Sequence, residues 1–335
     1  MSRQGIEDKL LWSRVPSPVR QQVEAIAGAH VARGARVWGG YSPTPTYRLR
    51  LADGRGLFFK GVYRDSNPFA STAIMKEARV YRELAHLITP WAPCLHGVIT
   101  HEDWFALLLE DVGPKSAPPW TPALARAAAQ DFAAFHISTL GRDLPEWLPR
   151  YNDSNADVSW EAAAQESDDL RLVAELAGER ATDAHAWLRA SFPRLAEAAR
   201  AALTIPGPYT LTHNDVRSDN IRITNGRLRL FDWPFAEVGY AEFDLAEFAQ
   251  SVTVDGGAEP ERVVAWYSER LPVRDEALDA AVCWLAAFFA NLAWRPELPE
   301  LPRLRQFQRQ QLGVTLRWAA RRLRLADPDW TAALG

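Results

Sequence analysis

Between Leu211 and Pro234 the chain reads Leu-Thr-His213-Asn214-Asp215-Val-Arg217-Ser-Asp219-Asn220-Ile-Arg-Ile-Thr-Asn225-Gly226-Arg-Leu-Arg-Leu-Phe-Asp232-Trp-Pro. Asn225-Gly226 between two alternating runs is the strongest short-range signal for a hairpin turn. With that pair as the turn, Asn220 faces Phe231, and Asp232 lies one residue further at the same open end. Asp215 precedes Asn220 in the adjoining loop. Two carboxylates and an amide are therefore expected at one edge of a hairpin. Such hard oxygen donors suit Mg²⁺, which takes one or two carboxylates and fills its shell with water and substrate phosphates. With a carboxylate that orients and deprotonates a hydroxyl, they are the parts of a phosphoryl-transfer centre.

The spacing His-x-Asp-x-x-x-x-Asn, followed by an Asp at the end of the next strand, matches the kinase catalytic loop and metal-binding aspartate. It assigns Asp215 as the base and Asn220 and Asp232 as metal ligands. Asp215 alone would read as an ordinary turn or capping residue; the three together carry the assignment. His213 reads as a structural residue that shapes the loop. The wider pattern is Asp215-x-Arg217-Ser-Asp219-Asn220, then Phe231-Asp232-Trp-Pro-Phe-Ala, Gly239 and Asp244-Leu-Ala. It resembles the aminoglycoside phosphotransferase and choline kinase-like family over about residues 36–250. The resemblance implies ATP as phosphoryl donor (GTP not excluded), Mg²⁺, a small-molecule hydroxyl acceptor, and the same roles for Asp215, Asn220 and Asp232. Asp244 then resembles the aspartate that braces the catalytic loop; capping the following helix is a second reading, and the two are compatible. Many members carry Gly where this chain has Asn214.

Such a centre needs a cation for the nucleotide phosphates. Lys60 lies in the apolar run Leu57-Phe-Phe-Lys-Gly-Val, a costly place for an unpaired charge. Glu77 shares a helix face with Ile74, Ala78 and Tyr81, so a Lys60–Glu77 pair is expected, as in kinases. A lone strand lysine facing solvent is the alternative. The turn Gly39-Gly40-Tyr41-Ser42-Pro43 is expected over the phosphates, with the Gly40 backbone and the Ser42 hydroxyl as ligands. Glu110-Asp111-Val112 resembles the family's hinge, where the backbone of Glu110 and Val112 would bind adenine.

The elements around these residues follow from periodicity and punctuation. A helix is expected over 17–33, strands over 36–40, 46–51 and 57–63, a helix from Ser71 or Thr72 to Leu87, and strands over 97–100 and 104–109. Glycine and prolines mark a hinge, and helices follow over 121–140, 159–178, 181–203, 243–253, 260–270, 275–294 and 303–325. The expected fold is α+β: a two-lobed protein-kinase-like fold with a small antiparallel-sheet N-lobe and a large, mainly helical C-lobe. The division is 1–110 for the nucleotide lobe, 111–119 for the hinge and 120–335 for the catalytic and acceptor lobe.

Composition narrows the partners. The chain has 335 residues and a formal charge of −4, so no broad electropositive face is forced on it and no nucleic acid is expected. The arginines from Arg317 to Arg324 read as a solvated helix face. Two cysteines in unrelated apolar contexts suit a reducing compartment. The charged N-terminus lacks a leader's apolar core, and the run Ala280–Ala290 is too short for a bilayer; a cytoplasmic location, no membrane, and a monomer or weak dimer are expected. There is no Gly-x-Ser-x-Gly, His-Glu-x-x-His or P-loop pattern, and no histidine follows His213. Asp232 is followed by Trp-Pro and no Ala-Pro-Glu segment occurs, which favours a small-molecule acceptor over a protein. Glu161, Glu166, Asp168 and Asp169 would suit a cationic aminosugar or amino-alcohol, or form a solvated face. Trp284, Phe288, Asn291 and Trp294 would line a pocket for a bulkier acceptor, or pack the core. The competing reading for the whole chain is a catalytically inactive kinase-like nucleotide-binding or scaffold protein.

Overall fold

A computed structural model describes residues 9–38, 44–63, 68–113, 117–154 and 157–334. The chain divides into two compact units. One comprises Met1–Ser116, Asp219–Phe235 and Pro299–Pro302; the other comprises Ala117–Ser218, Ala236–Leu298 and Arg303–Gly335.

In the first unit, a short 3-10 turn over Trp12–Arg14 leads into α1 (Ser17–Ala27), with a proline in its first turn. Gly28 ends it in the left-handed region at φ 66°, its N–H bonded to the Glu24 carbonyl, so the helix stops short of residue 33. Strand β1 (Val31–Arg36) follows, where the sequence placed a strand over 36–40. Then come β2 (Thr46–Leu51), β3 (Gly56–Tyr63), α2 (Pro68–Glu83), α3 (Ala85–Ile88), β4 (Leu95–His101) and β5 (Trp104–Glu110). They form one antiparallel sheet of order β1-β2-β3-β5-β4. Strand periodicity gives it two faces. Tyr47, Leu49, Leu51, Leu57, Phe59, Ala106 and Leu108 are buried against Val19, Val23 and Ala27 of α1. Trp12 meets Tyr47 and Phe59 edge-on, at 5.2 and 5.4 Å between ring centroids. Thr46, Arg48, Phe58, Lys60, Leu107 and Leu109 occupy the opposite face, in register with one another.

The chain continues through α4 (Pro122–Thr139), α5 (Tyr151–Ser154), α6 (Trp160–Glu166), α7 (Arg171–Glu175), α8 (Ala181–Ala201) and β6 (Thr210–Thr212). The expected single helix over 159–178 is broken. Asp168, Asp169 and Leu170 all have positive φ, a conformation short polar Asp side chains tolerate. Strands β7 (Ile221–Thr224) and β8 (Arg227–Leu230) form the hairpin, and β9 (Glu237–Gly239) pairs with β6. Helices α9 (Ala241–Val254), α10 (Pro260–Ser268), α11 (Asp275–Leu292) and α12 (Leu304–Arg322) complete the second unit. Phe132, Phe135, Phe243, Phe248, Tyr267 and Trp318 are buried in its core. No helix among the described residues is long and apolar enough to cross a membrane.

The hairpin takes the expected register. Ile221 pairs with Leu230 and Thr224 with Arg227, and Asn225 and Gly226 take φ 54° and 75°, as a two-residue primed turn requires. Its strands are tied into the first unit. Leu230 N–H donates to the Trp91 carbonyl at 2.6 Å, and Thr224 Oγ1 donates to the Val112 carbonyl at 2.9 Å. Arg229 donates to the Ala92 carbonyl at 2.9 Å and to Glu110 at 2.5 Å. Asp219–Phe235 therefore groups with the sheet, although it lies far beyond the expected hinge in the chain.

Candidate active site

In the first unit, the site is built on β3, α2 and the hairpin. Lys60 projects from β3 on the face opposite the aromatic core, and its ammonium lies 2.6 Å from Glu77 of α2. The same ammonium contacts the Asp232 carboxylate. Burial alone would depress the Lys60 pKa; the Asp232 and Glu77 charges outweigh it and hold the ammonium above the usual lysine range. Glu77 has no exposed surface, and burial pushes its pKa up against the pull of Lys60. The expected Lys60–Glu77 pair is present in the structure, and Asp232 is a third member.

Asp232 follows β8 with φ 72°, an uncommon conformation for a residue with a side chain. The buried Trp233 fixes this corner by donating its indole N–H to the Leu230 carbonyl at 2.9 Å. Phe231 N–H donates to the Asn220 carbonyl at 3.1 Å, so Asn220 and Asp232 stand at the same end of the hairpin. One amide oxygen and one partly exposed carboxylate are a donor set that fits Mg²⁺, with the remaining positions left to water and phosphate. Among the described residues, no group of three or more His, Cys, Asp or Glu could hold a metal by itself.

Glu110 ends β5 with its polar atoms already engaged. Its N–H donates to the Cys94 carbonyl at 2.8 Å, and its carboxylate accepts from Cys94 N–H at 3.1 Å and from Arg229. Burial would raise its pKa, but these donors bring it below the usual range. The Glu110 side chain thus ties the hairpin to the sheet, a role the sequence did not reveal. The Val112 carbonyl is taken by Thr224, whereas its N–H makes no hydrogen bond among the described residues. Gly40 and Ser42 lie outside the described residues.

In the second unit, Asp215 sits in the loop after β6, with Arg217 Nε 3.3 Å from its carboxylate. The buried His213 lies with Nδ1 3.3 Å from the Asp215 N–H, in keeping with a structural role. Asp244 accepts the N–H groups of His213 and Asn214, each at 2.7 Å. It lies inside α9, which starts at Ala241 after an N-cap at Tyr240, so the capping alternative falls and the bracing reading stands. His136 of α4 is 3.2 Å from Asp244 and 2.6 Å from the Tyr267 hydroxyl; no spacing in the sequence linked these three. Further along α9, Glu247 accepts Val216 N–H at 3.1 Å and Ser251 accepts Ser218 N–H at 2.9 Å. Both were missed, although polar residues recurring at helical spacing in an apolar helix were visible.

Several of the residues singled out for an acceptor have partners within the chain. Glu161 pairs with Arg200, Glu166 with Arg295, Asp168 with Arg171 and Asp169 with Arg189, which is the solvated, ion-paired face. Trp284 is buried against Phe243, and Asn291 donates to the Ser159 and Ala287 carbonyls, as core residues do, whereas Phe288 and Trp294 are half-buried. Arg322 of α12 is largely buried and held by Glu261, Asp275 and Asp279, so at that position the helix face is ion-paired rather than solvated.

An antiparallel sheet carrying a lysine–glutamate pair, an Asn–Asp hairpin and a mainly helical remainder define a kinase-like fold of the phosphotransferase class. The chain belongs to the phosphotransferase enzyme family, whose sequence pattern matches residues 33–278. Its fold is similar to that of a putative fructosamine-3-kinase from Thermobifida fusca YX-ER1, at TM-score 0.56 and 20% identity over 89% of this chain and 99% of the other. It is also similar to an aminoglycoside-3'-phosphotransferase of type VIII, at TM-score 0.54 and 21% identity over 82% and 100%. An amicoumacin kinase solved with AMP-PNP, Ca²⁺ and Ami is similar at TM-score 0.56 and 12% identity over 90% and 94%. No protein of curated function matches the chain by sequence.

Proposed function

We propose that this protein transfers the γ-phosphoryl group of ATP to a hydroxyl of a small molecule of the aminosugar, amino-alcohol or related metabolite class. The observation that carries the reading is one lysine ammonium shared between a fully buried glutamate and the aspartate that closes the hairpin. Family membership and a fold neighbour bound to an ATP analogue support it.

In this reading Lys60, steadied by Glu77, orients the nucleotide phosphates, and the Val112 backbone N–H is available to adenine. Asn220 and Asp232 hold Mg²⁺, which when bound neutralises charge developing on the phosphate oxygens. Asp215 takes the proton of the attacking hydroxyl. Its loop is already fixed by Asp244, so little reorganisation is needed at that step. The two cysteines are unpaired, which supports a reducing, cytoplasmic setting.

The test is a thermal-shift titration with ATP, with and without Mg²⁺, on wild type and Asp232→Ala. Ligand at a hundred times its Kd stabilises by about 2.7 kcal/mol. A Mg²⁺-dependent rise in wild type, blunted in the variant, supports the reading and leads to an acceptor screen by ADP release. No rise with millimolar ATP or GTP would favour a scaffold without turnover.

A further inference from the structure

The segment from His213 to Ser218 has no regular strand or helix partner until its last residue, yet four of its N–H groups are bonded to side chains of one helix. Asp244, Glu247 and Ser251 are spaced i, i+3 and i+7, so they share one face of α9. They take, in order, the N–H groups of His213 and Asn214, of Val216, and of Ser218. Ser218 Oγ is 3.1 Å from Ser251 Oγ and accepts the Trp120 indole N–H at 2.8 Å. Asp215 therefore sits between two residues whose backbone N–H groups are held by α9, Asn214 on one side and Val216 on the other.

We propose that Glu247 is a positioning residue for the reaction: by accepting the Val216 N–H, it fixes from the C-terminal side the backbone that carries Asp215. Asp244 holds the residue before Asp215 and Glu247 the residue after it, whereas the next bond to α9, from Ser218 to Ser251, lies three residues past Asp215 and leaves the intervening backbone room to rotate. Burial and the nearby Asp244 and Asp215 carboxylates favour the neutral form of Glu247. A neutral carboxyl still accepts an N–H through its carbonyl oxygen. Glutamine at 247 would keep that acceptor with no charge, whereas leucine keeps the bulk and removes the acceptor.

The inference rests on Asp215 as the base, and the experiment separates the two. Hydrogen–deuterium exchange is followed on the full chain for wild type, Glu247→Gln, Glu247→Leu and Glu247→Ala, together with ADP release from Mg·ATP. In the Leu and Ala variants, exchange over 213–218 is expected to rise about tenfold or more while that over Asp275–Leu292 stays unchanged. ADP release is expected to lose kcat, with the KM for ATP within about twofold, and Glu247→Gln restores both. Unchanged exchange over 213–218 in Leu and Ala, a Gln variant as impaired as Leu, or equal loosening of α11 overturns the proposal. If wild type neither binds nor turns over ATP, the phosphotransferase reading fails, while the exchange pattern still decides whether Glu247 holds the loop.

Discussion

The Lys60 ammonium lies 2.6 Å from a Glu77 carboxylate that has no exposed surface. Removing one partner of a buried pair leaves the other uncompensated, which typically costs about 3–5 kcal/mol. Lys60 also contacts Asp232, so the lower end of that range applies here. Glu77→Ala is expected to lower unfolding stability by about 3 kcal/mol in urea titration and to weaken Mg·ATP binding about tenfold or more. Binding unchanged in the variant would remove Glu77 from the nucleotide site.

Asp215 has a different signature. Arg217 Nε lies 3.3 Å from its carboxylate, and the role proposed for it is to take a proton rather than to hold nucleotide. General-base catalysis contributes about 10²–10⁴ in rate. Asp215→Ala should therefore cut phosphoryl transfer by that order while the ATP-dependent thermal shift keeps its wild-type size. Normal turnover, measured by ADP release with an identified acceptor, would end the assignment.

How much of this was legible beforehand depended on how local the determinant was. Asn225-Gly226 fixes a two-residue turn by backbone conformation alone, so the pairing of Ile221 with Leu230 followed directly from the sequence. Lys60 and Glu77 were paired because a charge in an apolar strand and a carboxylate on a core-facing helix stripe each need a partner. Gly28 ends α1 through positive φ, a signal that was present but overrun by apolar periodicity. The contacts that tie Arg229 to Glu110, and Asp244 to His136, join segments more than a hundred residues apart. Nothing in local pattern encodes those pairs. Glu247 and Ser251 fall between: their helical spacing was visible, but their partners are backbone N–H groups, which carry no sequence signature.

Asp244, itself fully buried, satisfies two backbone N–H groups, one on the buried His213 and one on the half-buried Asn214. Each buried donor left without an acceptor costs about 1–3 kcal/mol. Asp244→Ala is expected to destabilise the second unit by about 2–6 kcal/mol, read as a fall in Tm of several degrees. Asp244→Asn, which keeps one carbonyl acceptor, should lose less. Equal losses would show that the contact with His136, rather than the loop N–H groups, is what Asp244 serves.

The pH dependence of stability should carry the mark of Glu247. Burial, with Asp244 and Asp215 close by, raises its pKa well above the usual carboxylate value in the folded chain. In the unfolded chain it titrates near about 4.3. Between those two values the native state holds a proton that the unfolded state has released, so stability falls as pH rises. The contribution is fully present below the unfolded pKa and is lost as pH climbs through the folded one. Glu77 shifts in the same direction, so wild type alone does not isolate the effect. The difference between wild type and Glu247→Gln does: glutamine has no proton to lose, and its Tm should decline less steeply from about pH 4 upward. Parallel curves for the two proteins would mean that Glu247 titrates as an ordinary surface carboxylate.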